Sequence, residues 1–228
     1  MSRLVCSPTL GVYLKNAIWT ALLAFGVLAA DMQASSADVA HQPSFFGSVE
    51  VQQSRFSNLK KWDGLIERHD VVIVQEQKCT YQQSIGCAQQ EWQGLINDFK
   101  SLPVQEMVAA VNQAINRFDY SEDAVTYGHD DYWATPMEFF IKGGGDCEDF
   151  AIAKYMLLRA MGLSEDLMRI VVVETDAGIA HAVLVIDDEE GQIVLDNQIY
   201  RPAMASTISN YHPVFSVNAK HLWMHRSM

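Results

Sequence analysis

Gly143-Gly144-Gly145-Asp146-Cys147-Glu148-Asp149-Phe150-Ala151-Ile152-Ala153-Lys154-Tyr155-Met156-Leu157-Leu158-Arg159-Ala160-Met161-Gly162 is the stretch on which the fold turns. Three successive glycines let the backbone turn sharply and keep bulk away from the thiol that follows. Asp146 is of a type that opens helices, Asp149 three places on resembles the partner in a capping box, and Gly162 is a C-terminal stop. The residues between are apolar on nearly every face apart from Lys154 and Arg159, which predicts a central, buried helix opened by Cys147. A thiol there faces unpaired N–H groups and the positive end of the helix dipole, and both favour the thiolate. The competing reading is a small apolar residue at a helix start.

A nucleophile needs a base, and the base needs a group that orients it. Both are found downstream, where residues 180–186 and 192–197 read as strands flanking the polar turn 187–191. Pairing Ile186 with Gly191 around a four-residue loop sets His181 directly opposite Asp196, with Cβ atoms about 5 Å apart. The same register puts Ala182 opposite Leu195 and Leu184 opposite Ile193, a consistent apolar second face. A slip of one residue would send His181 and Asp196 to opposite faces. Taken alone, His181 would read as a core histidine; its pairing with Asp196 and the isolated Cys147 favours the catalytic reading.

Upstream, Phe56, Leu59, Trp62, Leu65 and Ile66 recur at helical spacing, as do Trp92, Leu95, Ile96 and Phe99. Pro103 suits a first helical turn, and Val104, Met107, Val108, Val111, Ile115 and Phe118 continue an apolar face. Residues 119–133, with Gly128 and five acids, read as a loop. Strand-like runs cover 169–174, 180–186 and 192–197. Helices first and antiparallel strands afterwards make an α+β domain. No repeat, long linker or Pro/Gly-rich break divides it.

The first 37 residues carry Arg3 and Lys15, then an uncharged run of 15 residues over 16–30, then small residues including Ser35 and Ala37. That is the layout of a cleavable export signal, and the run is short of the ~20 residues a membrane-spanning helix needs; an uncleaved anchor is the competing reading. The expected division is a signal peptide over 1–37 and one domain over 38–228. The whole chain, 228 residues with 49% hydrophobic and 19% charged, has the composition of a folded protein. Its net charge of -12, which becomes 14 Lys+Arg against 27 Asp+Glu once 1–37 is removed, repels phosphate backbones, so no nucleic-acid partner is expected. Export changes how the cysteines read, because an oxidising compartment pairs neighbouring thiols. Cys6 leaves with the signal, and the polar stretch between Cys79 and Cys87 leaves open whether these two close a small loop as a disulfide. Cys147 is then unpaired, and an odd cysteine is a dimer link, a buried inert thiol or a reactive nucleophile.

Gly-Asp-Cys-Glu-Asp opening a helix, Ala-His-Ala-Val on a strand and Leu-Asp-Asn-Gln on the next together resemble the bacterial transglutaminase-like cysteine proteinases of the LapG type. The resemblance spans roughly residues 56–223. It implies a papain-like fold in which the cysteine helix packs on an antiparallel sheet. It also implies that Cys147 is the nucleophile, His181 the general base and then acid, and Asp196 the group holding the imidazole in its tautomer. Enzymes of this type cut a very large calcium-binding surface adhesin near its N-terminus, at a site with two consecutive alanines, and so release cells from a biofilm. An inner-membrane receptor that senses cyclic di-GMP in the cytoplasm restrains them from its periplasmic side, so the expected location is the periplasm and no direct nucleotide binding is expected. In the family an exposed tryptophan inserts into that receptor, and Trp133 is the candidate here; the alternative is an aromatic packed beside the active-site entrance.

Asp146, Glu148 and Asp149 crowd negative charge around a sulfur that must itself become negative, which raises a thiol's pKa. A hard divalent cation would relieve this, and the family binds calcium at the acids flanking its cysteine; the expected ligands are Asp146 and Glu148 first and Asp149 second. Helix capping is the competing role for Asp146 and Asp149. Two other functions stay open: the same triad in a transglutaminase-like acyltransferase or a cell-wall peptide hydrolase, and a non-catalytic calcium-binding module.

Overall fold

Apolar spacing in the first third of the chain becomes three helices in the computed structural model, which describes residues 45–53, 60–73, 77–81 and 84–226. These are α1 (Lys60–Ile73), α2 (Ile85–Phe99) and α3 (Val104–Ile115). Trp62 and Leu65, Trp92, and Met107, Val108, Val111 and Ile115 are buried at the expected phase. Phe56, Leu59 and the proposed signal at 1–37 lie outside the described residues. α2 is opened by Ser84, whose side chain accepts from the Cys87 N–H, and Cys79 and Cys87 form a disulfide that closes the stretch before it.

A strand, β1 (Val49–Gln52), precedes the helices, so the helices-then-strands order holds only from α1 onward. The expected loop over 119–133 contains β2 (Asp119–Tyr120) and a single turn, α4 (Asp123–Thr126). After it comes α5 (Pro136–Lys142), started by a Thr135–Glu138 capping box with Pro136 in its first turn, and ended by Gly143 at φ 79. The next two glycines form β3 (Gly144–Gly145), parallel to β2. Gly144 sits at φ 153 with Asp119 O where a Cβ would be, so no other residue fits this rung without displacement.

The helix from Cys147 runs to Ala160 (α6) and is buried along its length, Phe150 to Leu158 without a break. It packs on a seven-stranded sheet made of β1, β4 (Met168–Thr175), β5 (Ala180–Asp188), β6 (Gly191–Leu195), β7 (Ala203–Met204), β8 (Tyr211–Val217) and β9 (Leu222–Arg226), in the order β1-β9-β8-β4-β5-β6-β7 with every pair antiparallel. Alternation along the central strands divides the burial. Ile170, Leu184, Ile186 and Leu195 join the helical core, while Val171, Val173, Val183, Val185 and Val194 meet Phe45, Ala205 and Tyr211 in a second, smaller cluster. This is the expected α+β, papain-like arrangement of a cysteine helix on an antiparallel sheet. Among the described residues no helix is long and apolar enough to cross a membrane.

The β5–β6 hairpin differs in detail from the sequence reading. Asp188 pairs with Gly191 around the two residues Glu189 and Glu190, so Leu184 faces Leu195 and Ile186 faces Ile193. The four-residue loop is replaced by a two-residue connection, whose twist suits the flanking strands and whose exit is eased by Gly191 at φ 134. The register is thereby shifted by two residues, which preserves every face assignment.

Candidate active site

Cys147 stands at the first position of α6 and His181 near the open end of β5, and both line one groove of about 790 Å³. Tyr120, Ala177, Ile179 and Ala180 form part of the same wall. Asp196 lies just beyond β6, almost fully buried, and its Oδ1 is 3.0 Å from His181 Nε2. With the hairpin shifted by two residues, His181 and Asp196 meet on a diagonal, where the sequence reading had them directly opposite. The same carboxylate accepts from Gln198 N at 2.9 Å and from the Tyr211 hydroxyl at 2.6 Å. Burial works to raise its pKa, but the bonds and charge of His181, with Gln198 and Tyr211, hold it below the ordinary carboxylate value. An ionised carboxylate only accepts, so His181 Nε2 carries the proton and Nδ1 is the nitrogen left for the thiol.

α3 holds the loop that carries Asp196. Asn116 Nδ2 donates to Asp196 O at 2.8 Å, and Asn112, fully buried, donates to Ile199 O and Tyr200 O at 3.2 Å. These two asparagines interrupt the apolar face of α3 one turn apart, and that interruption is the sequence signal that could have found them. Lys154, two turns along α6 from Cys147, is fully buried with no hydrogen-bond partner for Nζ. Burial lowers its pKa to about 7, opposed by the charge of Asp196.

The surroundings of the cysteine oppose the thiolate that the helix dipole alone would favour. Burial, the Glu148 charge, and the bond from Cys147 Sγ to Glu148 Oε2 at 3.2 Å push the thiol's pKa up, with Asp146 adding to them and the Ala182 backbone N–H opposing. Burial first and the Glu148 carboxylate second thus oppose a negative sulfur here.

Those acids divide into two sets. Asp146, at the N-cap, makes no capping bond with its side chain; its Oδ1 is buried without a partner. Asp146 and Glu148 gather with Asp123 of α4, one oxygen from each lying within 4.8 Å of the others. Burial and then its contacts with Glu148 push Asp146 up to about 9, and burial also raises Asp123. Asp149 goes elsewhere: its Oδ1 accepts from Ala134 N at 2.7 Å, while its Oδ2 is buried without a partner. Of the expected ligands Asp146, Glu148 and Asp149, the geometry gathers the first two with Asp123, and Asp149 stands outside that cluster. Three gathered oxygens, with unpartnered buried atoms on Asp123 and Asp146, suit a hard cation.

Trp133 is 7% exposed, edge-on to Trp62 with ring centroids 6.3 Å apart, and its carbonyl accepts from Arg68 at 2.6 Å. The expectation of an exposed tryptophan does not hold at this position, because the indole is part of the helical core.

A family model described as bacterial transglutaminase-like cysteine proteinase matches residues 73–225. Among solved structures, LapG of Legionella pneumophila is 34% identical to this chain, which covers 87% of LapG with 70% of its own length at a TM-score of 0.57. A calcium-bound form of that protein gives 34% identity, 71% and 86% coverage of this chain and of it, and a TM-score of 0.56; an EGTA-treated form gives 34%, 72%, 86% and 0.58. No curated protein matches the chain.

Proposed function

The chain belongs to the bacterial transglutaminase-like cysteine proteinases and is a cysteine protease, and from that premise we propose a calcium-dependent endopeptidase of the periplasm, exported by residues 1–37, that cuts a large surface adhesin near its N-terminus at an Ala-Ala pair. An inner-membrane cyclic di-GMP receptor holds it in check; with Trp133 buried, the docking residue is a different one. The observation that carries the reading is a single groove lined by Cys147 and by a histidine whose far nitrogen is held by a buried carboxylate.

Cys147 gives its proton to His181 Nδ1, and the sulfur attacks the peptide carbonyl carbon. The Cys147 backbone N–H, without an intrahelical acceptor at the first position of α6, is placed for the developing oxyanion. The leaving amine takes the proton from Nδ1, and a water deprotonated by the same nitrogen then hydrolyses the thioester and restores the thiol. Asp196 holds the imidazole in the tautomer these transfers need. Asp123, Asp146 and Glu148 would hold the calcium ion. When bound there it offsets their charge and so lowers the cost of a negative sulfur beside Glu148.

The test is cleavage of a quenched fluorescent peptide centred on Ala-Ala, in calcium and in EGTA, with Cys147→Ala as control. Cutting between the alanines that stops in EGTA and in the variant supports the proposal. Incorporation of an added amine in place of hydrolysis, or undiminished cutting in EGTA, overturns it.

A further inference from the structure

Asp196 stands past the end of β6, so no ladder bond fixes its backbone to β5, and three side-chain bonds set its orientation. Two of them, from His181 and Gln198, share Oδ1. The other oxygen has one partner, the Tyr211 hydroxyl at 2.6 Å. That bond opposes a turn of the carboxylate about its own axis, which would carry Oδ1 away from the imidazole and which the two bonds on Oδ1 alone resist less.

Tyr211 stands on a strand outside the hairpin it serves. It opens β8, paired with Thr175 of β4, and it packs in the second core cluster with Val171, Val173 and Val183. Its ring stands edge-on to His181 at 5.7 Å between centroids and edge-on to Phe46 at 5.8 Å. One rigid side chain thus touches both the base and the group that orients it.

We propose that Tyr211 is a positioning residue: its O–H locks Asp196 Oδ2, so that Oδ1 is aimed at His181 Nε2, and its ring covers the imidazole's flank. The proposal rests on the Cys147–His181–Asp196 reading above. It makes the triad depend on a strand outside the hairpin that supplies two of its members.

The experiment uses three variants with excess calcium at pH 7: Tyr211→Phe, Asp196→Asn, and the chain with 3-fluorotyrosine inserted at 211, which keeps ring and hydroxyl. Two readouts are taken, the rate of Cys147 alkylation by iodoacetamide and the downfield proton resonance of His181 Nε2–H, assigned by its loss in His181→Ala. A hydrogen bond to an ionised group corresponds to roughly tenfold to hundredfold in rate. Tyr211→Phe is expected to slow alkylation by that factor and to broaden the resonance, while fluorotyrosine, whose more acidic hydroxyl keeps the bond, restores the rate and gives a sharp resonance at a shifted position. Wild-type rate and resonance in Tyr211→Phe, with Asp196→Asn impaired, overturn the role of Tyr211 and leave the triad standing. Equal impairment by Phe and fluorotyrosine also overturns it, since ring packing would then be responsible. Should Tyr211→Phe fail to fold, the fluorotyrosine chain decides, because the altered hydroxyl must move the His181 resonance if it is coupled to Asp196. Undiminished alkylation in Asp196→Asn sinks the triad reading itself and this proposal with it.

Discussion

His181 Nε2 and Asp196 Oδ1 lie 3.0 Å apart although Asp196 stands one residue past the last rung of the β5–β6 ladder. The contact therefore depends on the carboxylate's own bonds. Asp196→Asn keeps the shape but removes the counter-charge and offers the imidazole an amide that can present either end. Peptide hydrolysis is expected to fall on the order of 10³- to 10⁴-fold with little change in melting temperature. A loss smaller than tenfold would remove Asp196 from the machinery.

Asp123 and Asp149 are both nearly fully buried acids close to Cys147, yet they are expected to respond differently to neutralisation. Asp123 has an oxygen in the Asp146–Glu148 cluster, so Asp123→Asn should weaken calcium binding by tenfold or more in a calorimetric titration. Asp149 holds the buried Ala134 N–H, so Asp149→Ala should lower stability by about 1 to 3 kcal/mol through a donor left unpaired. Calcium weakened equally by both variants would return Asp149 to the ligand set.

Lys154 bears on stability, with a definite dependence on pH. Its amine is fully buried, without a hydrogen bond, 6.0 Å from the Phe150 ring centre, and its pKa is depressed from 10.5 to about 7. Below pH 7 both folded and unfolded chains hold the proton, and the folded chain bears the whole cost of burying it. Between about 7 and 10 only the unfolded chain keeps it, so the wild type gains stability as pH rises. Lys154→Met is expected to be more stable than wild type by about 1 to 4 kcal/mol at pH 6, with the gap narrowing toward pH 10. Urea unfolding across that range measures it, and a gap that stays flat would mean the amine is solvated.

Much of this was legible before any coordinates. The α6 stretch announces itself through its glycines, its acids and an apolar stretch broken only by Lys154, and the faces of His181 and Asp196 survive a register error because they depend on parity alone. Asp123 was hidden because a one-turn helix has no period to detect. Tyr211 is brought to Asp196 by sheet order, with β4 and β5 standing between β8 and β6, and nothing local encodes that. β8 itself is masked by Pro213, which reads against a strand; the register shift between Val172 and Val173 falls opposite it, and β9 pairs only from Phe215 onward. Of the two roles open for Trp133, exposed or packed, local sequence could not decide: its neighbourhood is acidic, whereas its own ring turns inward to Trp62.

The glycines before Cys147 make separable demands. Gly143 has φ 79 and open space about its missing Cβ, whereas Gly144 has φ 153 and Asp119 O in the way. Gly143→Ala therefore adds backbone strain alone, expected at about 1 kcal/mol. Gly144→Ala adds the same strain and must also part β3 from β2, so its stability loss should exceed that of Gly143→Ala by ~1 kcal/mol or more. The ladder leads directly into Asp146 and Cys147, so the damage should reach the thiol: Gly144→Ala is expected to slow iodoacetamide labelling of Cys147 severalfold in protein that remains folded, and Gly143→Ala is not. Equal melting temperatures and equal labelling in the two variants would show that the β2–β3 rung neither supports the fold nor places the nucleophile.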